Sequence, residues 1–306
     1  AIIETNSIPA VLSSLVNNET DSFLIVDPSV IVSINDAFTA NKSYGIECSE
    51  KIVGAAKMLG FKHVFDNRIA NDFISLEMTE ELIKRINLNS SLPMINSNCP
   101  AVINDIEKTI RELIPNLSAI KPPQHILARA IRKTFQKIKQ EHIFIVHLTS
   151  CVTSKAQIKR MQLANDIDAA LTAREFIQLI NSFGIDWDTV KPSQFDAPFA
   201  SVSGASSLTA ISGGLTTTIL RNVYEKNNSG KSSKEIEEYS YQIDHKGYNK
   251  IEFKTHDIKI HDNQDFQLKV AVCNGISALH QLIADNDTFK TLHFVEVMAF
   301  PGGCIF

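Results

Sequence analysis

The 306-residue chain is long enough to bury one large hydrophobic core or two smaller ones. Its composition, 44% hydrophobic and 21% charged, is typical of a globular protein, and no apolar run reaches the roughly 18 residues that span a bilayer. The formal net charge of -4 excludes the basic surface expected of a protein that binds nucleic acid or anionic membranes.

Short apolar runs alternate with amphipathic stretches, a pattern that predicts βα units and a parallel sheet. The predicted strands are, in chain order, FLIVD (23–27), LPMIN (92–96), HIFIVHL (142–148), IDAAL (167–171), LKVAV (268–272) and LHFVEVM (292–298). The predicted helices are SVIVSINDAF (29–38), KIVGAAKMLG (51–60), TEELIKRI (79–86), PAVINDIEKTIREL (100–113), TAREFIQLINSFG (172–184) and ISALHQLIAD (276–285). Thr172 and Glu175 are spaced as a capping box, and Gly184 is a helix stop.

A polar segment, KNNSGKSSKEIEEYS, interrupts this pattern and is followed by the alternating run YNKIEFKTHDIKIH. We expect an insert and a β-hairpin near residues 226–267. SGKSS does not predict a phosphate-binding loop, because Glu225 stands where that motif needs its first glycine. The predicted fold is α/β, with an N-terminal lobe at 1–140 and a C-terminal lobe at 141–306 that contains the insert.

The five cysteines are spread along the chain and are odd in number, unlike the dense disulfide framework of a small secreted domain. We therefore expect the cytoplasm or another reducing compartment. No CxxC, HExxH or C2H2 spacing occurs, so a local zinc site is not predicted.

Cys99, Cys151 and Cys304 all follow the carboxyl end of a predicted strand, whereas Cys273 ends a strand as a core residue and Cys48 is expected to be inert or exposed. Loops after parallel strands gather at one edge of a sheet, where ligands bind. The first three thiols could therefore hold a soft metal or an iron–sulfur cluster together. For the Gly-Gly-Cys304 turn, an ordinary turn with a buried thiol is the alternative interpretation.

The three cysteine loops resemble the signature motifs of iron-only (FeFe) hydrogenases, in the domain that carries the catalytic H-cluster. NSNCPAVIND resembles Thr-Ser-Cys-Cys-Pro, HLTSCVTSKAQ resembles Met-Pro-Cys-x-x-Lys-Lys-x-Glu, and VEVMAFPGGC resembles Glu-x-Met-Ala-Cys-x-Gly-Gly-Cys. Further segments between these motifs match the family in the same order, so the resemblance covers nearly the whole chain.

The resemblance implies two lobes with mainly parallel sheets flanked by helices and a cluster cavity between them. In the family, four cysteines hold a 4Fe-4S cubane, and the last also bridges to a two-iron unit. Cys99, Cys151 and Cys304 match three of these positions, with Cys304 as the bridge, and we expect them to converge on the cavity. Phe300 occupies the fourth position and cannot ligate iron. The residues expected to line the cofactor are Gly204, Gly213, Gly214, Met298, Ser154 and Lys155.

Other positions also depart from the family. Asn98 replaces the cysteine that exchanges protons with the two-iron unit. Ser154 replaces a lysine that contacts a cyanide, and Lys155 beside it is a candidate substitute. The family's relay of cysteine, glutamate, serine, glutamate and arginine corresponds to Asn98, Met78, Ser118, Glu81 and Arg85. The resemblance therefore predicts a relay whose outer half is kept and whose inner half is lost.

These departures leave three hypotheses for function. The first is a hydrogenase-like protein that binds a 4Fe-4S or 3Fe-4S cluster and has a redox, sensory or assembly role with little hydrogen turnover. The second is an active hydrogenase with a modified site that includes a two-iron subcluster. The third is a structural or interaction subunit that binds no metal. The resemblance also implies a ferredoxin-like electron-transfer domain or protein as partner, or further chain segments.

Overall fold

The computed structural model describes residues 4–17, 19–38, 45–135, 142–227, 251–260, 264–300 and 302–304. The strands are β1 (Thr20–Val26), β2 (His63–Asp66), β3 (Met94–Ile95), β4 (His142–Thr149), β5 (Ala169–Thr172), β6 (Ile251–Ile260), β7 (Gln264–Asn274) and β8 (Phe294–Met298). The helices are α1 (Ile8–Val16), α2 (Pro28–Phe38), α3 (Ser49–Leu59), α4 (Arg68–Leu88), α5 (Pro100–Thr109), α6 (Pro123–Phe135), α7 (Ser154–Gln157), α8 (Ala173–Ser182), α9 (Gly214–Asn227), α10 (Ile276–Ala284) and α11 (Asn286–Lys290). Short 3-10 helices lie at Arg111–Asn116, Trp187–Thr189 and Ala205–Ala210.

The chain divides into two units, and each takes two separate stretches of sequence. The first contains described residues up to Asn71 and Pro123–Ser203, and the second contains Asp72–Pro122 and Gly204–Cys304. The expected single boundary at residue 140 differs from this division. The chain leaves the first unit within α4 and returns to it at the start of α6, an excursion that no local sequence signal marks.

The first unit is built on a parallel sheet with strand order β2-β1-β4-β5. The inner strands are apolar on both faces: Leu24 and Val26 belong to the core cluster that includes α2, α3 and α8, and Phe23 and Ile25 to the one that includes α6. Burial on both faces is typical of a parallel strand and explains why short continuous apolar runs predicted these strands.

The second unit contains a sheet with strand order β3-β8-β7-β6, in which only the β6–β7 pair is antiparallel among the described strands. β8 lies inside this sheet, and each of its five residues is buried. The described part of the run YNKIEFKTHDIKIH forms the single strand β6, which pairs antiparallel with β7, the strand that contains the predicted LKVAV. Residues 228–250 of the predicted insert lie outside the described residues. The α/β fold with mainly parallel sheets is confirmed.

Local signals set two helix ends in the first unit. The Thr172 hydroxyl accepts from the Glu175 N–H at 3.4 Å, and the Glu175 carboxylate accepts from the Thr172 N–H at 2.9 Å, so the predicted capping box is present. Gly184 has a φ of 64° just beyond α8, as expected of a glycine that ends a helix. Across the described parts of the chain, every helix is too short or too polar to span a membrane.

Candidate functional site

Cys99 lies in the loop between β3 and α5, as predicted. It is the N-cap of α5, with the extended backbone angles φ -89° and ψ 112°, and Pro100 begins the helix. Its carbonyl accepts from the Ile103 N–H at 3.2 Å. The side chain is half-buried and packs against the apolar core around α5 and α10. The loop therefore presents this thiol at the carboxyl end of a strand and the amino end of a helix.

The Cys304 loop lies against a second loop of the same unit. The Ser212 N–H donates to the Gly302 carbonyl at 3.2 Å, and the Cys304 N–H donates to the Ala210 carbonyl at 2.9 Å. Gly303 has a φ of 106°, and a Cβ added there would lie 2.6 Å from the Ala210 oxygen. A glycine at position 303 is therefore needed for this close approach, which fixes where Cys304 lies.

Residues 210–216, which we call the glycine turn, are held by a buried carboxylate. Glu296 of β8 is fully buried; it accepts from the Gly213 N–H at 2.8 Å, the Thr216 N–H at 2.7 Å and the Thr216 hydroxyl at 2.6 Å. These donors lie at the start of α9, where a negative charge is favoured. A Cβ on Gly214 would lie 1.7 Å from the Leu208 oxygen, so this position accepts only glycine.

Three other predicted positions of the second unit differ in their surroundings. Met298 is 5% exposed at the end of β8. Gly204 has open space around a built Cβ, so no steric contact requires a glycine there. Phe300, at the family's fourth ligand position, is 60% exposed, and its carbonyl accepts from the Gly303 N–H at 3.2 Å. The benzyl group occupies an outward position in the loop that carries Cys304.

Cys151 follows β4 in the first unit and is held through its backbone. Its N–H donates to the Thr149 hydroxyl at 3.1 Å, and its Sγ lies 2.8 Å from the Thr153 hydroxyl. Thr149 in turn donates to Asp27 Oδ2 at 3.3 Å, and the buried His147 Nε2 lies 3.3 Å from the same oxygen. Sequence reasoning missed Asp27, although its position directly after β1 was the available signal.

Lys155 is buried and engaged within its own unit. Its ammonium lies 2.7 Å from Glu4 Oε1 and 2.8 Å from Glu175 Oε1, and it donates to the Thr5 carbonyl at 2.5 Å. Three acceptors use the three N–H donors of an ammonium. This geometry does not support the predicted substitution of Lys155 for the cyanide-contacting lysine. Ser154, at that family position, is buried at the start of α7.

The three outer positions of the predicted relay are in contact. The Ser118 hydroxyl donates to Glu81 Oε2 at 2.6 Å, and Arg85 donates to Glu81 Oε1 from Nη2 at 2.7 Å and from Nε at 3.1 Å. Arg85 also donates to the backbone carbonyls of residues 91, 115, 116 and 117. The same contacts tie α4 to the loop after it, at residue 91, and to residues 115–118, so they stabilise the fold in addition to any role in proton transfer.

The inner positions of the relay have a different character. Met78 is fully buried and belongs to an apolar cluster with Met94 and Phe294. Asn98 is half-buried, and its Oδ1 is buried with no donor among the described residues. Neither side chain titrates near neutral pH.

The comparisons with known proteins assign the family. The model of the iron-only hydrogenase large subunit, C-terminal domain, matches residues 21–306. The chain belongs to this family. It is a divergent member, because Phe300, Asn98 and Met78 replace residues of the family motifs.

The relatives of this divergent domain include both a hydrogenase and an iron–sulfur cluster assembly factor. Iron hydrogenase 1 of Clostridium pasteurianum is 31% identical over 314 residues, which cover 100% of this chain and 52% of that protein. A probable cytosolic Fe-S cluster assembly factor of Aedes aegypti is 27% identical, over 94% of this chain and 62% of that protein. The chain thus spans about half the length of the curated relatives it matches.

The fold is similar to solved structures as well. An apo FeFe hydrogenase from Chlamydomonas reinhardtii matches with a TM-score of 0.82 and 22% identity, over 98% of this chain and 83% of that one. At this identity the match supports the fold alone.

The cysteines of this hydrogenase-like domain form two groups. Cys48 and Cys273 are buried, and burial raises the pKa of each thiol to about 12. Cys48 is thus inert rather than exposed, while Cys99, Cys151 and Cys304 are half-buried in loops. No disulfide joins any of the five, all of which are described. A thiolate is the form that binds metal, so the loop cysteines are the better ligand candidates.

The second unit brings two of the predicted ligands to one edge of its sheet. β3 and β8 are parallel neighbours, Cys99 follows β3, and Cys304 follows β8. Cys151 belongs to the first unit, so the convergence of all three stays a prediction. Among the described residues, no group of three or more His, Cys, Asp or Glu side chains forms a metal-binding set. The donor type fits an iron–sulfur cluster, and the fourth thiolate of a complete H-cluster site is missing.

Proposed function

We propose that this chain binds an iron–sulfur cluster through Cys99, Cys151 and Cys304 and has a redox, sensory or assembly role with little hydrogen turnover. One observation carries the proposal: the Cys99 and Cys304 loops follow adjacent parallel strands, and the fourth family position is an exposed Phe300. Three thiolates can hold a 3Fe-4S cluster, or a 4Fe-4S cluster with one open iron.

Low hydrogen turnover follows from the inner relay positions. Proton transfer needs a group that changes its protonation state near the working pH within hydrogen-bond reach. Met78 offers only a weakly accepting thioether within an apolar cluster, and Asn98 offers a neutral amide. A water chain past Met78 lacks the polar partners that buried waters need.

A role in electron transfer or cluster assembly requires a partner. Because the curated relatives are about twice as long, we propose a ferredoxin-like domain or protein as the source of electrons. We propose a reducing compartment such as the cytoplasm, because the five cysteines are scattered along the chain and a probable cytosolic Fe-S cluster assembly factor is among the relatives.

Anaerobic reconstitution with iron and sulfide tests the proposal. We expect the wild-type protein to gain a visible absorbance band and at least three irons per chain, as a cubane lacking one corner requires. Replacing Cys99, Cys151 or Cys304 singly by Ser should abolish this gain. Cys48→Ser is the matched control, because it removes a buried thiol that hydrogen-bonds to the Ile31 carbonyl.

The other hypotheses predict different results. A metal-free interaction subunit would retain no iron, and all four variants would equal the wild type. An active hydrogenase would show dye-linked hydrogen uptake after installation of a two-iron unit. Either result would overturn the proposed function.

A further inference from the structure

The loop between β3 and α5 buries an amide group whose donors have no acceptor. Asn96 is fully buried, and its Oδ1 accepts from the Val297 N–H at 2.7 Å. This bond fixes the orientation of the amide, because only its oxygen can accept from an N–H. The Nδ2 amine at the other end therefore points two donors into a buried place that offers no acceptor within the described residues.

Such a group demands an explanation. A buried donor without an acceptor costs free energy, and native proteins rarely leave one unsatisfied. A hydrogen-bond acceptor from outside the described residues would remove the cost. A bound water and a bound anionic ligand are two kinds of acceptor that such a site can take.

The surroundings of Asn96 favour an anion. Three residues later, Cys99 is the N-cap of the ten-residue helix α5; it makes no side-chain capping bond and the first turn contains no acidic residue, so the partial positive charge of the helix N-terminus is not offset by either. Asn96 also binds β8 twice, through its Oδ1 and through its N–H, which donates to the Val295 carbonyl at 3.2 Å. Asn96 thus joins the end of β3, which leads to Cys99, to β8, which leads to Cys304.

We propose that Asn96 is a positioning residue for the iron–sulfur cluster, and that its Nδ2 donates to a cluster sulfide or to the thiolate of Cys99 or Cys304. The inference rests on the proposed function. Hydrogen bonds to sulfur stabilise the additional negative charge of the reduced cluster, so they raise its reduction potential. They also hold the cluster in place, because loss of the cluster leaves the amide unsatisfied again.

Asn96→Asp is the sharpest variant, because it keeps an oxygen for the Val297 N–H and replaces only the donor. We expect the reconstituted variant to lose iron to a chelator about tenfold faster than wild type, and its midpoint potential to become more negative. Asn116→Asp is the matched control: this amide of the same unit donates to the Pro93 carbonyl at 2.9 Å, so its donor already has a protein partner. The control should keep the wild-type rate of iron loss.

A measurement on folded protein with an intact Asn96 covers the case in which Asn96→Asp does not fold. The side-chain amides of asparagine are labelled with 15N in the Asn98→Ser variant, which removes the other asparagine of the loop. A nitrogen coupling to the paramagnetic cluster in pulsed electron paramagnetic resonance supports the proposal.

Two results would overturn it. The first is the absence of that coupling, as a bound water would give. The second is an Asn96→Asp protein that folds with wild-type iron loss and an unchanged potential. A wild-type protein that takes up no iron would instead refute the proposed function, and this inference with it.

Discussion

Glu296 and Met78 are both fully buried in the second unit, in surroundings of opposite character. Glu296 is a carboxylate that accepts three hydrogen bonds from the glycine turn, whereas Met78 packs in an apolar cluster with Met94 and Phe294. A buried charge is costly unless it is fully hydrogen-bonded, so Glu296 is kept where it organises backbone. An acid at position 78 would serve only proton transfer, and an apolar residue packs there without the free-energy cost of burying a charge. The comparison separates the framework of the site, which is the glycine turn with Glu296, from its proton chemistry, which depends on the relay positions Asn98 and Met78.

The largest effect should come from breaking the framework. Gly214→Ala places a Cβ 1.7 Å from the Leu208 carbonyl oxygen, so the glycine turn must move. We expect the free energy of unfolding to fall by about 3 kcal/mol or more. Gly204→Ala is the control, because nothing lies within 4 Å of its built Cβ and its φ is -64°. Equal denaturation midpoints for the two variants would contradict the assigned turn geometry.

Fast proton delivery to the site should be absent. After installation of a two-iron unit, we expect the unmodified chain to evolve hydrogen at least about 100-fold more slowly than a hydrogenase of the family, since general acid–base transfer contributes that much. Asn98→Cys combined with Met78→Glu should raise the rate.

The control for this double variant tests whether the carboxyl group at position 78 is responsible for the increase. Asn98→Cys with Met78→Gln has nearly the same shape as the first pair and no acid at position 78, so it should not raise hydrogen evolution. Fast turnover by the unmodified protein would show that protons take another route.

Loss of charge at Glu296 should have a smaller effect than the clash at Gly214. In Glu296→Gln, the side-chain NH2 group faces an N–H group that now donates to the carboxylate, so one hydrogen bond is lost. We therefore expect the free energy of unfolding to fall by about 2 kcal/mol. Glu112→Gln, on an exposed surface of the same unit, should change it by less than about 0.5 kcal/mol. A neutral result at Glu296 would mean that the glycine turn is held by its other contacts.

The sequence predicted more of the strands and helices than of the side-chain contacts. Six strands were expected as short apolar runs, because buried parallel strands have no polar face, and β1, β3, β4, β5, β7 and β8 lie at these runs. β2 was missed because it has only four residues, His63–Asp66, between two helices. α4 is longer than the predicted 79–86, since its first turns follow β2 without a break in the pattern.

The positions of the three loop cysteines were predictable, because the ends of the strands determine them. Cys99, Cys151 and Cys304 lie in loops after strands, as the apolar runs indicated. The ion pairs of Lys155 were not predictable, because Glu4 lies about 150 residues away in the sequence and Glu175 is brought close only by the packing of α7 and α8 on the first sheet. The buried Nδ2 of Asn96 was not predictable either, since it depends on the register between β3 and β8.

Restoring a cysteine at the fourth ligand position of the family, Phe300, should modestly increase the iron that the protein retains. Phe300 is 60% exposed, so Phe300→Cys should fold normally and supply a fourth thiolate next to Cys304. We expect the reconstituted variant to retain more iron per chain than the wild type, because a fourth thiolate completes the ligand set of a 4Fe-4S cluster. Phe73→Cys is the matched control, since Phe73 is 53% exposed in the same unit. An unchanged iron content in Phe300→Cys would contradict the alignment with the family motif.

The smallest effect concerns a histidine in the framework of the second sheet. Burial lowers the pKa of His293, whose Nδ1 accepts from the Lys269 N–H at 3.0 Å and whose ring meets Phe266 edge-on. In the unfolded chain this histidine titrates near its ordinary pKa of about 6.5, so below that pH the unfolded state binds more protons than the folded state.

The contribution of His293 to stability is therefore complete above about pH 6.5 and is lost as the pH falls through the lowered folded pKa. His293→Asn keeps an acceptor for the Lys269 N–H without titrating, so we expect a flatter decline of the denaturation midpoint between pH 7 and 5. His142→Gln, at an exposed position at the start of β4, should leave the profile unchanged. A profile of His293→Asn that superimposes on the wild type would show that acid destabilises this chain through other groups, of which His63, with a pKa also lowered by burial, is the first to test.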